Sequence, residues 1–438
     1  MISKPLPVYL DYSTEDLQAE LSKLAKDIAA FKAKNLALSM ARGKPGPEII
    51  ALDKAMLDSL NSSSDLTDSG VDCSNYGCLE GIESARRFMA ELLEVEPDLC
   101  IVQGQSSLEL MSLSMMHALL FGFGGASPLK DLMSPFKVIC PVPGYDRHFA
   151  LAERLGAQLI PVAITAEDGL DIDAVEELLK DPMVKALWLV PKYSNPTGIS
   201  LSDQACRRLA QIKPAASDFR IYWDNAYIEH HLYDDPNMQD RLPNMYELMK
   251  AAGNEDHILM FTSSSKMSFA GSGIAAMAAS RANLDEILNT LSYITVGPDK
   301  INQLRHVRYF KTIEQLREKM MKRAQILRPK FELVDRILSQ ELGELQLASW
   351  TKPKGGYFIS CELYPHTAKN CVQLAQDCGV SFTPAGACFP GGFDPLDSQL
   401  RIAPSFPSLE ELESALRVFC NCVKYSSVKK ILEERAEG

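Results

Sequence analysis

The feature that most restricts how this chain can fold is a regular alternation of short apolar runs with amphipathic stretches between residues 99 and 261. Runs at 99–102, 136–140, 158–163, 185–190, 220–223 and 257–261 have the length and residue types of buried strands. Between them, 108–121, 173–180 and 201–212 carry helical spacing, and a further helix ends at Leu155. Strand and helix in this order give an α/β domain built on a mostly parallel, mixed sheet.

Open α/β sheets bind ligands just past the carboxyl ends of their strands, and the less ordinary residues of this chain fall there. Gly104-Gln105-Ser106-Ser107 follows the first run, Pro143-Gly144-Tyr145 the second, Asn195-Pro-Thr-Gly198 the fourth and Asp224-Asn-Ala-Tyr227 the fifth. Ser263-Ser264-Ser265-Lys266 closes the sixth. Three hydroxyls before a lone lysine, in a small-sided segment, suit a site where an anion and a reactive amine lie close together. An amine that forms a Schiff base needs such a place, because desolvation and cationic neighbours lower its pKa and make it nucleophilic.

The remaining chain is organised around this unit. At 438 residues it is too long for one ordinary core. An amphipathic helix is expected over 14–34, capped by Ser13 or Thr14. After a second apolar run, 274–279, the pattern turns helical at 284–293, 300–310 and 313–338, the last read as a bridge between domains. Strands at 356–362 and 400–403 with helices at 369–378 and 409–425 fit a smaller α+β domain. The expected partition is residues 1–55 packing with the small domain, 56–310 forming the large domain, and 311–438 forming the bridging helix and small domain.

Charge and composition narrow the function. A net charge of −12 argues against nucleic acid and anionic membrane as partners. No apolar run reaches a membrane span and the start of the sequence lacks a secretory pattern, so a cytoplasmic protein is expected. The 11 cysteines are scattered and form no CxxC, which points to buried free thiols. The 7 histidines show no ligand spacing, so no metal site is expected.

Each strand-end feature has a task if the ligand is pyridoxal phosphate. Gln105, Ser106 and Ser107 open a helix whose backbone N–H groups and dipole can hold a phosphate, with Ser263 and Ser265 as further donors. Tyr145 can lay its ring against the pyridine. Asn195 and Tyr227 can reach the phenolic oxygen. Asp224, a carboxylate at a buried strand end, needs a cationic partner, and a protonated ring nitrogen provides one. Lys266 would hold the cofactor covalently and then carry the proton as general base and acid. Arg401, in a strand of the second domain, would take the substrate α-carboxylate in a bidentate pair.

The order Tyr76, Gly104-Gln-Ser-Ser107, Tyr145, Asn195-Pro-Thr-Gly198, Asp224-Asn-Ala-Tyr227, Ser263-Ser-Ser-Lys266 and Arg401 resembles the fold type I pyridoxal-phosphate aminotransferases, over residues 40–425. The wordings Arg42-Gly43-Lys-Pro45, Pro143-Gly-Tyr-Asp-Arg-His148 and Asn302-Gln-Leu-Arg-His-Val-Arg308 resemble a bacterial aspartate aminotransferase subgroup labelled MocR-like. The resemblance implies transfer of an amino group from aspartate to a 2-oxo acid such as 2-oxoglutarate, with Gly43, Asn195 and Arg401 at the substrate. It also implies a homodimer in which Tyr76 reaches the neighbouring phosphate. One departure stands out: residues 267–280 lack the arginine that clamps the phosphate in most relatives. Lys300 of the neighbouring subunit is the first substitute, Arg305 the second. Arg42, Lys300 and Arg305 are the candidates for a substrate's second carboxylate. The alternatives are an aminotransferase for aromatic or neutral amino acids, a C–S lyase, and a cofactor-binding regulatory domain. The last needs a DNA-binding module for which the stretch before Arg42 offers no room.

Overall fold

The structure, a computed structural model, describes residues 7–437. Its centre is a seven-stranded sheet of β1 (Cys100–Val102), β2 (Lys137–Val142), β3 (Gln158–Ala163), β4 (Val184–Leu189), β5 (Arg220–Asp224), β6 (Ile258–Ser263) and β7 (Ala275–Ala279). The spatial order is β1-β7-β6-β5-β4-β2-β3. Neighbours from β6 through β5, β4 and β2 to β3 are parallel, and β7 runs antiparallel to both β6 and β1. The expected mostly parallel, mixed α/β sheet is what forms.

Side-chain alternation explains why the central strands are apolar throughout. In β5, Ile221 and Trp223 enter one core and Tyr222 the other. In β7, Ala276 and Ala278 face the first core, while Ala275, Met277 and Ala279 face the second. A sheet covered on both faces leaves polar side chains only at strand ends, so the chemistry collects there.

A third core holds the two chain ends together. Helix α1 (Thr14–Lys32), capped by Ser13, packs on the carboxyl-terminal helix Leu409–Glu437 through Leu17, Leu24 and Ile28. The same core receives a three-stranded antiparallel sheet of β8 (Ala348–Trp350), β9 (Ile359–Leu363) and β10 (Gln399–Ile402). The helix Ile313–Leu338 joins this core to the one under the large sheet. Its Leu316 and Met320 lie in the latter, and its Leu327, Val334 and Leu338 in the former.

Several boundaries differ from the sequence expectation. The last helix runs on to Glu437 rather than stopping at 425; beyond that point Val428 and Ile431 still bury against the third core. Helix Met245–Ala251 is absent from the pattern reading. None of the 11 cysteines forms a disulfide, and all but Cys78 are buried. Among the described residues no helix is long and apolar enough to cross a membrane, and no cluster of metal-ligating side chains occurs.

Candidate active site

A cavity of about 600 Å³ opens at the carboxyl ends of β4 and β5, between the large sheet and the segments carrying Arg401 and Phe358. Gly43, Ser106, Ser107, Tyr145, Asn195, Asp224, Tyr227, Ser265, Lys266 and Arg401 all line it. These residues come from widely separated stretches, and sheet topology brings them together.

Lys266 follows β6 at the end of a short 3-10 turn, Ser264–Lys266. Its amine lies 5.0 Å from the centre of the Tyr227 ring. Burial lowers its pKa from the ordinary lysine value, while the Asp224 carboxylate opposes that shift. Its backbone carbonyl accepts from His230 Nε2 at 3.2 Å. His230 is itself held neutral, its pKa pushed well below the usual value by burial and by Lys266.

Asp224 ends β5 and is buried. Its Oδ2 meets His148 Nε2 at 3.1 Å, and its Oδ1 is buried with no hydrogen-bond partner among the described residues. An unpaired buried carboxylate oxygen is costly, so this geometry fits a ring N–H donor entering from the cavity. Tyr145 packs edge-on against His148, and its hydroxyl is pushed up to about 12 by burial and by Asp224. Burial likewise drives Tyr227 well above the ordinary tyrosine value.

Ser106 caps the helix Ser107–Leu120 in a capping box with Glu109. This corrects one detail of the sequence reading. The N–H groups of Gln105 and Ser106 donate to Glu109 Oε2 at 2.7 and 3.2 Å and are therefore not free for an anion. The N–H groups of Ser107 and Leu108, in the first helical turn, have no intrahelical acceptor and remain. Gln105 itself lines a neighbouring crevice with Gly271, Ser272 and Gly273. Ser263 stands behind the cavity, its hydroxyl 2.8 Å from that of Ser265.

The missing arginine has a steric counterpart. A Cβ at Gly273 would come within 2.9 Å of both Gln105 O and Ser265 N, so the chain after Lys266 presses against backbone where no side chain fits. Arg305 reaches the neighbouring Ser272 hydroxyl, and Asn302 Nδ2 donates to Gly273 O at 2.9 Å. Neither Lys300 nor Arg305 lines the cavity of its own chain. The Lys300 amine donates to Gly77 O at 2.9 Å, beside Tyr76, which is 84% exposed. Of the candidates for a second carboxylate, Arg42 alone lines the cavity, with Lys44 and Arg147 as further cations at its edge.

Arg401 projects from β10 with its Nη1 3.1 Å from both Asp146 Oδ1 and Asn195 Oδ1, and its Nη2 3.1 Å from Thr383 Oγ1. Its guanidinium lies 4.7 Å from the centre of the Phe358 ring, and Nε has no hydrogen-bond partner among the described residues. Accepting from Arg401 fixes the Asn195 carbonyl oxygen and turns its NH₂ into the available donor. Gly43 closes this corner: a Cβ there would meet Phe358 Cζ at 2.4 Å.

Four participants escaped sequence reasoning: His148, Asp146, His230 and Arg323. The buried Arg323 pairs with Asp53 and donates to Met267 O at 2.8 Å, bracing the segment after Lys266 from the bridging helix. His148 had a readable signal, since it lies one turn into the helix that follows Tyr145 and a buried aspartate at a strand end calls for a donor. Arg323 had none, because its partners are remote in sequence.

Known proteins agree with this architecture. An aspartate aminotransferase of Corynebacterium glutamicum is 39% identical over 414 residues, covering 94% of this chain and 95% of that one. The crystal structure of an aspartate transaminase from the same species superposes with a TM-score of 0.93 at 38% identity, over 97% of this chain and 99% of the other. An α-aminoadipate aminotransferase from Thermus thermophilus shares the fold at a TM-score of 0.71 and 24% identity, covering 94% and 98% of the two chains. With the aspartate amino-transferase family matching residues 12–435, the chain belongs to that family.

Proposed function

We propose that this protein is a pyridoxal-phosphate-dependent transaminase that moves the amino group of aspartate to a 2-oxo acid such as 2-oxoglutarate by a ping-pong cycle. The observation that carries this reading is the pairing, in one cavity, of a buried Lys266, its pKa lowered by burial, with an Asp224 whose second carboxylate oxygen has no hydrogen-bond partner among the described residues. Pyridoxal phosphate, when bound, supplies an electron sink for the bond being broken at the substrate Cα.

The chain's own residues divide the remaining work. Lys266 would hold the cofactor's aldehyde carbon and then, as a free amine, take the proton from the substrate Cα; its lowered pKa favours the neutral, basic form. Asp224, fixed by His148, would keep the ring nitrogen protonated. Asn195 and Tyr227 would donate to the phenolic oxygen, and Tyr145 would cover the ring face. Ser106, Ser107 and Ser265 would hold the phosphate. Arg401 would receive the α-carboxylate, exchanging its contact with Asp146 for a stronger bidentate pair. Arg42 is the cation placed to meet a distal carboxylate.

A homodimer would complete the site. Tyr76, Tyr293, Ile294 and Val296 are exposed, and Gly297 packs against the Gly77 backbone, so this apolar group forms one surface that a second copy would cover while bringing Tyr76 to the neighbouring phosphate. The test is an absorbance titration of the holoenzyme with amino acids. Conversion of the cofactor band by aspartate, and not by alanine, supports the reading; conversion by aromatic or neutral amino acids alone, or pyruvate release from cystathionine, overturns the substrate assignment.

A further inference from the structure

A second cavity, of about 500 Å³, shares no lining residue with the first but abuts it at the end of β5. Asp224 faces the catalytic cavity, and Trp223 and Asn225 on either side of it face the other. The connection from Asn225 to Asn244 is long and, apart from the 3-10 turn Pro236–Met238, carries no helix or strand. It supplies Gln239, Leu242 and Pro243 to the rim. Ordered connections of that length within a compact domain commonly build a binding site.

The polar groups inside define what would fit. Lys192 is buried and its amine donates to Ile228 O at 2.6 Å. An ammonium has three donors, so two remain. Asn225 is also more than nine-tenths buried, and its Oδ1 has no hydrogen-bond partner among the described residues. The cavity therefore has donors to spare at Lys192 and an acceptor to spare at Asn225. Lys192, Arg241 and Arg317 are balanced by Glu94, Glu229 and Asp234, which favours an occupant of zero net charge. Leu92, Trp223, Met245, Met260 and Met320 supply apolar wall.

An end group with an anionic acceptor and an N–H donor would use both the spare donors of Lys192 and the acceptor of Asn225. We propose that this cavity binds a free α-amino acid with an apolar side chain, its carboxylate on Lys192 and its ammonium on Asn225 Oδ1. Burial holds the Lys192 pKa down to about 8, so a bound carboxylate also stabilises the charged amine. The occupant would touch two segments that carry catalytic-cavity residues, since Lys192 lies three residues before Asn195 and Asn225 follows Asp224.

Isothermal titration of the holoenzyme with L-leucine, L-methionine and L-phenylalanine tests this. Arg401→Leu removes the carboxylate anchor of the catalytic cavity, Lys192→Met removes that of the second, and Leu242→Trp fills the second from its rim. The expected result is one saturable site per chain for at least one of the three amino acids. That site persists in Arg401→Leu and weakens about ten- to hundredfold in Lys192→Met; Leu242→Trp weakens it as well. Near-UV circular dichroism checks folding, and Leu242→Trp carries the test if Lys192→Met fails to fold. No saturable binding of any of the three, binding lost in Arg401→Leu, or affinity unchanged in both second-cavity variants overturns the proposal.

Discussion

His148 Nε2 lies 3.1 Å from Asp224 Oδ2, and among the described residues that is the one side-chain hydrogen bond to the carboxylate, since Oδ1 is buried without a hydrogen-bond partner. The imidazole fixes the orientation of the acid and leaves its other oxygen for the cavity. Replacing His148 with Phe keeps a ring in place and removes the hydrogen bond. The expected outcome is a fall in kcat of about ten- to hundredfold, from the loss of about 1.5–3 kcal/mol in a charge-assisted bond, with little change in KM. Steady-state kinetics with aspartate measure it, and His148→Gln, which keeps a donor, should recover part of the loss.

Arg42 is the candidate for a distal carboxylate that lines the cavity of its own chain. Arg42→Ala should raise KM for aspartate and 2-oxoglutarate about tenfold, while the inhibition constant of a monocarboxylate such as propionate stays unchanged. A parallel rise for the monocarboxylate would place Arg42 outside substrate selection.

The close approach of Gly43 to Phe358 makes Gly43→Ala a probe of the α-carboxylate anchor. The added methyl would meet the ring that carries the Arg401 guanidinium, displacing both. A loss of about 1–3 kcal/mol in stability is expected from overpacking, and KM should rise for every amino donor. Urea denaturation and kinetics on the same preparation separate the two effects.

Asp53 and Arg323 are each 1% exposed and paired. Removing one partner strands the other, so Asp53→Ala should cost about 3–5 kcal/mol. Changing both, in Asp53→Ala/Arg323→Met, should cost less than the sum of the single changes. Denaturant midpoints of the three variants check this, and additive losses would show the pair to be uncoupled.

Buried histidines set an acid limit on stability. His230 is held well below its ordinary pKa and His306 is lowered to about 4, in both cases first by burial. Below pH ~6.5 the unfolded chain binds protons at these positions and the folded chain does not, so stability falls as pH falls. The loss sets in below pH ~6.5 and by pH 5.5 is on the order of 1 kcal/mol for His306, with His230 adding in the same direction. Denaturation at pH 7.5 and 5.5 measures it; a flat profile would show that these groups titrate alike in both states.

The sequence by itself determined the sheet and the identity of its strand-end residues, because period and length are local properties of a chain. Lys266, Asp224, Tyr227, Asn195 and Arg401 were legible for that reason: each is a costly residue type at the end of an apolar run or inside one. Only the tertiary structure decided what meets what. It bound the N–H groups of Gln105 and Ser106 to Glu109, brought His148 to Asp224, set Arg323 and His230 against the backbone at Lys266, and left Gly273 no room for a side chain. Apart from the local Glu109 cap, those contacts join residues far apart in sequence. Their free energy comes from burial and hydrogen bonding that exist only once the sheet has assembled, so apart from the hint at His148 no window of the chain could announce them.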